Sequence, residues 1–397
     1  MQDVFEIKDD IYFTGVVDKD LRVFDIIMET EFGTTYNSYL IKDEKTVLFD
    51  TVKPNFKDKF IENISKITDI KDIDYVVIHH TEPDHAGSLK YILDLNPNIE
   101  VYCTKVAKTY LDEQINKPFK CHVIKDGETL NIGKRNIKFI TAPFLHWPDT
   151  MFTYIEEDKT LFTCDAFGCH FANVDADAVE SEDYLKSSKH YYNCIVKPFA
   201  KHVLSAIDKV VRLDIQFDTI LTSHGPMLTK NPMAAVERYL SWSTEVVSTT
   251  NQNEVSVFYL SAYTNTLLMA KKVQEGLLSQ GTKVNLYDLE TMSLEEMHDA
   301  VVISKVILLG APTINKTMVK PMWDFFSVID PLANLGKIAG VFGSYGWSGE
   351  GMSMSEDLLK AMKFKMPIES LKKKFSPSND TLEDCFNFGA EFGKLLK

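Results

Sequence analysis

Apolar residues in the first half of the chain fall in short runs bounded by polar residues and turn formers. Ile11-Tyr-Phe13, Val23-Phe-Asp-Ile-Ile27, Ser38-Tyr-Leu-Ile41 and Thr46-Val-Leu-Phe-Asp50 are too short for helices and read as strands. Asn55 to Ile67 is helix-like, and Tyr75-Val-Val-Ile78 is an unbroken apolar run suited to a buried strand. This half predicts a β-rich domain with interspersed helices. Ser248-Thr-Thr-Asn-Gln-Asn-Glu254 has no apolar periodicity and is expected to be a linker. Beyond it the period changes. A strand at Val255–Leu260, a helix at Leu267–Gln280 and a strand at Lys283–Tyr287 are followed by strands at Val306–Leu309 and Ile338–Phe342, each leading into a helix-like segment. That alternation predicts a doubly wound parallel sheet. The expected class is α/β, with one domain over residues 1–250 and a second over 254–397.

Composition narrows the function. At 397 residues, 45% hydrophobic and 25% charged, the chain is ordinary globular protein and not a disordered one. Its net charge of −14 argues against a nucleic-acid partner, which needs a basic face. The balance is uneven: residues 254–397 carry 15 Lys, no Arg and 17 acids, so most of the negative charge lies before them. The start, MQDVFEIKDD, has neither a basic nor an apolar character, so no signal peptide is expected. The longest apolar run, Val301–Gly310, is interrupted by Ser304 and Lys305, well short of a membrane span. Six cysteines are scattered without a C-x-x-C pair, which argues against a zinc ribbon, a rubredoxin-type iron site or a disulfide scaffold. The expectation is a cytoplasmic protein with reduced thiols and no membrane contact.

The densest chemistry follows the strand ending at Ile78: His79-His80-Thr81-Glu82-Pro83-Asp84-His85-Ala86-Gly87-Ser88. A loop at a strand end can turn several side chains toward one ion. His146, Asp165 and His224 each follow an apolar run and precede Gly or Pro turn chemistry, so they can complete the site. Carboxylates and imidazoles brought together need a compensating cation, because burying them bare is costly. His79 is expected to be a bystander, and His122, His170, His190, His202 and His298 to be ordinary polar residues. Four imidazoles and three carboxylates without Cys fit two hard-to-borderline ions, one carboxylate bridging. The carboxylate share leans toward iron or manganese, although zinc also accepts Asp and Glu.

The H-x-[EH]-x-D-H loop with later isolated His, Asp and His resembles the metallo-β-lactamase fold, an αββα sandwich, over about the first 250 residues. Hydrolases of that fold usually carry His where this chain has Glu82; Glu there resembles the flavodiiron proteins, or A-type flavoproteins. The resemblance implies one iron at His80, Glu82 and His146, a second at Asp84, His85 and His224, and Asp165 between them. Where that family often has His after the Phe of Arg22-Val-Phe, this chain has Asp25.

In the second half, Ser261-Ala-Tyr-Thr-Asn-Thr266 joins a strand to a helix and offers hydroxyls and backbone N–H groups to an anion without any basic residue. No Walker loop and no G-x-G-x-x-G is present. Ala311-Pro-Thr-Ile-Asn315 and Gly343-Ser-Tyr-Gly-Trp-Ser-Gly349 follow two further strands, with Tyr345 and Trp347 able to flank an aromatic ring. The three loops resemble flavodoxin. The resemblance implies FMN, its phosphate held by Ser261, Tyr263, Asn265 and Thr266. Its ring would lie among Pro312, Thr313, Asn315, Ser344, Tyr345, Gly346, Trp347 and Ser348.

Together the two halves imply an oxidoreductase that passes electrons from FMN to a diiron site reducing dioxygen, nitric oxide or both. The donor would be a separate rubredoxin or a reduced deazaflavin. The working unit would be a head-to-tail homodimer, alone or paired into a tetramer. Tyr192 and Trp147 are candidates to line the pocket. The rivals are a dinuclear metal hydrolase, against which Glu82 and the flavodoxin-like half argue, and an electron-transfer protein with a purely structural metal, for which a closed Cys-rich site is expected.

Overall fold

The computed structural model describes residues 4–249 and 254–396, and the chain divides into two compact units, Met1–Thr244 and Glu245–Lys397. Of the expected linker, Ser248 and Thr249 end the helix Pro232–Thr249 and Glu254 begins the next strand; residues 250–253 lie outside the described residues.

The first unit is built on two facing sheets. In the seven-stranded one the order is Phe5–Lys8, Ile11–Phe13, Tyr39–Ile41, Val47–Phe49, Tyr75–Val77, Glu100–Cys103, Lys120–Val123. The first four strands are antiparallel neighbours and the rest run parallel. The five-stranded sheet orders Thr129–Asn131, Asn136–Thr141, Met151–Ile155, Thr160–Cys164 and Thr219–Thr222. Successive strand residues point to opposite faces, and here both faces are buried. Tyr39, Ile41, Val47 and Phe49 pack with Phe139, Ile155 and Phe162 between the sheets. The alternate residues Leu40, Leu48 and Val76 pack outward under Phe60, Ile64, Leu89 and Ile92 of the covering helices. This gives the helix–sheet–sheet–helix sandwich, and it explains why the strands read as continuous apolar runs.

One expected strand is different. Val23-Phe24 pairs with Met28-Glu29 across a tight turn, and Asp25 and Ile26 take φ of 47° and 71°. Left-handed backbone ends a strand, so Ile26 and Ile27 stand at the tip, 93% and 86% exposed.

The second unit is one parallel sheet in the order Lys283–Asp288, Glu254–Tyr259, Val306–Gly310, Ile338–Tyr345, Leu371–Lys374. Second, first, third, fourth, fifth is the flavodoxin-like doubly wound order, with its switch point between the first and third strands. Ile307 and Leu309 pack against helices on one face with Met322 and Phe325, while Val306 and Leu308 pack on the other with Met269, Val273 and Phe392. The fourth strand extends to Tyr345, so Gly343, Ser344 and Tyr345 belong to strand and not to the loop expected from sequence.

The helices Asn265–Leu278 and Asn379–Lys394 touch at backbone distance. A Cβ on Gly276 would lie 2.0 Å from the Phe386 carbonyl oxygen, and one on Gly389 equally close to that of Val273. Backbone oxygens cannot yield, so the helices must part. Gly276→Ala is therefore expected to destabilise this unit by about 1–3 kcal/mol, read as a lower urea midpoint in circular dichroism. An unchanged midpoint would show that the helices separate freely.

Candidate metal and flavin sites

The metal-type residues come from strand ends on one rim of the sandwich. After Tyr75–Val77, His79 turns inward between the sheets. Its backbone N–H donates to Asp50 Oδ1 at 2.8 Å, and its ring bridges Asp50 Oδ2 at 2.7 Å and Thr153 Oγ1 at 2.8 Å. It is a structural bystander. His80 points the other way. Glu82 precedes the helical turn Pro83–Ala86, which Pro83 starts and which carries Asp84 and His85. Asp165 follows the strand Thr160–Cys164, His224 follows Thr219–Thr222, and His146 lies in the connection between two strands of the same sheet.

The structure brings all seven expected residues together, and the two oxygens of Asp165 divide them. Asp165 Oδ2 lies 3.7 Å from both His80 Nε2 and His146 Nε2. Those two nitrogens are 3.1 and 3.0 Å from Glu82 Oε2. Asp165 Oδ1 lies 3.3 Å from His85 Nε2 and 3.4 Å from His224 Nε2. These in turn are 3.4 and 3.1 Å from the oxygens of Asp84. The result is two clusters of donors sharing one carboxylate, each pointed at a common space.

The second unit gathers its loops at the carboxyl ends of its strands. Thr264, at φ 62°, opens the helix Asn265–Leu278 without a side-chain cap, while Ser261 Oγ accepts the Leu267 N–H at 3.1 Å. Ile314 and Thr317 exchange backbone hydrogen bonds across Asn315 and Lys316, both left-handed, which is a two-residue turn of type I′. Tyr263 is 85% and Trp347 76% exposed, large aromatic faces left open beside these loops. Tyr345 is half-buried, and Ser348 Oγ is buried with no hydrogen-bond partner. Thr313 Oγ1 accepts the Gly351 N–H at 3.2 Å. Ser344 is buried in the strand, and its hydroxyl donates to the Phe375 carbonyl at 2.7 Å.

Two family models match the chain, an ODP family β-lactamase over residues 34–225 and a flavodoxin over 257–389. The flavo-diiron protein FprA2 of Clostridium acetobutylicum is 40% identical, the alignment covering 98% of this chain and 99% of that protein. The anaerobic nitric oxide reductase flavorubredoxin of Vibrio vulnificus is 33% identical, over 98% of this chain and 79% of that one. Among solved structures, rubredoxin oxygen:oxidoreductase from Desulfovibrio gigas superposes with a TM-score of 0.68 at 30% identity, covering 99% of this chain and 98% of the other.

The chain belongs to the flavodiiron proteins. As a flavodiiron protein it is an oxidoreductase whose cofactors are FMN and a pair of irons, and the hydrolase reading falls away.

The residues present suit those cofactors. Asp84 is buried, and neither of its oxygens has a hydrogen-bond partner, although imidazole nitrogens stand within ion-pair distance. Burial opposes charge on Asp165, but the imidazoles of His85, His80 and His224 outweigh it and hold the carboxyl well below the usual range. Burial likewise opposes charge on His80, and hydrogen bonds to Asp149 and Glu82 overcome this and push it up to about 9. Protons on His80 and His85 thus take the place that metal cations would fill.

Several supporting groups were not singled out from the sequence. Asp149 accepts from His80 Nδ1 at 3.3 Å and from the Thr81 N–H and hydroxyl at 2.8 and 2.7 Å. The Thr35 carbonyl accepts from His224 Nδ1 at 2.5 Å. Both leave Nε2 free for metal. The Tyr191 hydroxyl donates to Asp165 Oδ1 at 3.2 Å. Tyr192, a candidate for the pocket, bonds Ser243 and packs on Tyr239 and Trp242. Trp147 does line the site, its ring 5.0 Å from that of His80. His170 is no ordinary loop residue: it is buried 5.1 Å from the His224 ring and 4.3 Å from Phe24. Asp25 faces Glu82, and partial desolvation, a hydrogen bond with Glu82 and the Glu82 and Asp84 charges push its carboxyl up to about 7.

Two outcomes follow from this electrostatics. Asp149→Ala should weaken the metal at His80 about 10–100-fold, read by competition with a chelator while the flavin content stays unchanged. In metal-free protein the raised His80 stabilises the fold below pH 6.5, and this contribution is lost as pH rises through about 9. The melting temperature of metal-free protein should fall across that window, and that of the metal-loaded protein should not.

Proposed function

We propose that this chain carries electrons from FMN to a diiron centre that reduces dioxygen to water, nitric oxide to nitrous oxide, or both. The observation that carries the reading is the division of seven donors around the two oxygens of Asp165, on a chain that also contains a flavodoxin domain. One iron is assigned to His80, Glu82 and His146, the other to Asp84, His85 and His224, with Asp165 joining them. FMN is assigned to Ser261, Tyr263, Asn265 and Thr266 at its phosphate, and to Pro312, Thr313, Asn315, Ser344, Tyr345, Gly346, Trp347 and Ser348 around its ring.

Bound iron supplies electrons and Lewis acidity at the gas, and bound FMN supplies their replacement. The protein's own part is placement. Asp149 and the Thr35 carbonyl fix which imidazole nitrogen faces the metals. Tyr191 orients Asp165 through its hydroxyl. Trp147 and Phe24 present apolar faces to the surrounding imidazoles and limit water.

The working unit is a head-to-tail homodimer, alone or as a dimer of dimers. Exposed aromatics at the flavin loops, and exposed Ile26 and Ile27 beside Asp25 at the metal site, support it, since each unit leaves an apolar surface for another copy to cover. Electrons come from a rubredoxin-type protein or a reduced deazaflavin. Among the described residues no helix is long and apolar enough to cross a membrane, in keeping with a cytoplasmic site of action.

His146→Ala and His224→Ala should each lose iron and bring gas consumption down to background, with one FMN per chain retained. Two irons and undiminished turnover in either variant would contradict the assignment. Mixing a flavin-free variant, with Ser261 and Trp347 changed, and an iron-free variant, with His146 changed, should restore part of the turnover once subunits exchange. Exchange without activity would place electron transfer within one chain.

A further inference from the structure

The strands Glu100–Cys103 and Lys120–Val123 run parallel at the margin of the seven-stranded sheet, and the second is its outermost strand. Val101 lies opposite Cys121, so Cys103 is diagonally across from it on the same face. Their sulfurs are 3.6 Å apart. Cys103 is buried and Cys121 is partly open to solvent. The two thiols are also electrostatically unequal. A hydrogen bond from Cys103 and the Lys108 ammonium outweigh burial and lower Cys121, while the same hydrogen bond and burial raise Cys103. Cys121 is thus the more open and the more acidic thiol, and Cys103 is held beside it as a protonated partner.

We propose that Cys103 and Cys121 form a dithiol that hydroperoxides oxidise reversibly to a disulfide. The Cys121 thiolate attacks the terminal oxygen of the hydroperoxide. A sulfur–oxygen bond forms, the oxygen–oxygen bond breaks, and the other oxygen leaves as hydroxide from hydrogen peroxide or as alkoxide from an alkyl hydroperoxide. The Cys103 sulfur then attacks Cys121. A sulfur–sulfur bond forms, and the oxygen departs as water with the Cys103 proton. The sulfur pair loses two electrons and the peroxide gains them.

Closure must shorten the sulfur separation from 3.6 Å to about 2.05 Å. A diagonal pair on neighbouring strands needs some backbone movement, and the outermost strand is the one able to supply it, being hydrogen-bonded on one side only. A bond closed against such resistance is readily reduced by small thiols. The pair ends one residue before Thr104, whose hydroxyl donates to the Asp149 carbonyl at 3.1 Å. Oxidation therefore acts on the strand end that supports the partner of His80.

The test treats as-isolated holoprotein, without electron donor, with a few equivalents of hydrogen peroxide, followed by alkylation in denaturant and peptide mapping without reduction. The expected product is a linked peptide pair containing Cys103 and Cys121, lighter by two hydrogens and restored by dithiothreitol. In Cys103→Ser, Cys121 should be trapped as sulfenic acid by dimedone. In Cys121→Ser, Cys103 should remain unmodified. The proposal is overturned if both thiols alkylate fully after peroxide in the unaltered chain. It is equally overturned if Cys121 proceeds to sulfinic acid while Cys103 stays free, or if the link formed joins exposed Cys194 instead.

Discussion

Three carboxylates and four imidazoles meet at one rim of a two-sheet sandwich, largely shielded from solvent. Five of the seven are buried, and Glu82 and His146 are mostly so. Removing even one such charge from water costs several kcal/mol, so the cluster cannot exist without positive charge among its oxygens. In the metal-free chain, protons on His80 and His85 fill that role, which is why both imidazoles are driven above their ordinary value against the pull of burial. Two divalent ions would serve better, because each oxygen of Asp165 stands beside two imidazoles and a further carboxylate. The surrounding architecture answers to this requirement. Short strands end at one rim, a proline-started turn carries Asp84 and His85, and a tyrosine hydroxyl, an aspartate and a backbone carbonyl orient the inner groups.

The second unit meets its anion by other means. Its loops hold a helix start, hydroxyls and uncapped backbone rather than a guanidinium, and the unit has no Arg at all. Tyr263 and Trp347 beside these loops stand open instead of buried. A cofactor ring laid against Trp347 replaces exposed apolar surface with contact, so flavin binding and surface burial act in the same direction. The two sites thus differ in kind. One is an inward cluster of charge, the other an outward set of backbone donors and flat faces.

The gathering of these seven side chains was legible in the sequence because they follow buried apolar runs and stand beside Gly or Pro turn chemistry, a local signature. Their supports were not, because tertiary structure alone pairs them. Asp149 is 69 positions from His80, the Thr35 carbonyl 189 from His224, and neither bears a motif. Tyr191 and Tyr192 are adjacent, and only the helical geometry through Glu182–Tyr191 and the following π-helical turn decides which hydroxyl reaches Asp165. The fold class followed from the change of period near residue 254. The errors came where backbone conformation overrides pattern: left-handed Asp25 and Ile26 fold an apolar run into a hairpin tip, and Gly343 to Tyr345 continue a strand past glycine chemistry that resembles a loop. His170 looked ordinary because burial, not spacing, gives it its neighbours.

The central claim is that Asp165 stands between two irons. Crystals of the holoprotein measured just above and just below the iron absorption edge test it directly, since only iron changes its anomalous scattering between the two. The account predicts two iron peaks per chain flanking Asp165, one within bonding reach of His80, Glu82 and His146, the other of Asp84, His85 and His224. A single peak, peaks away from Asp165, or sites that respond only at the zinc edge would contradict it.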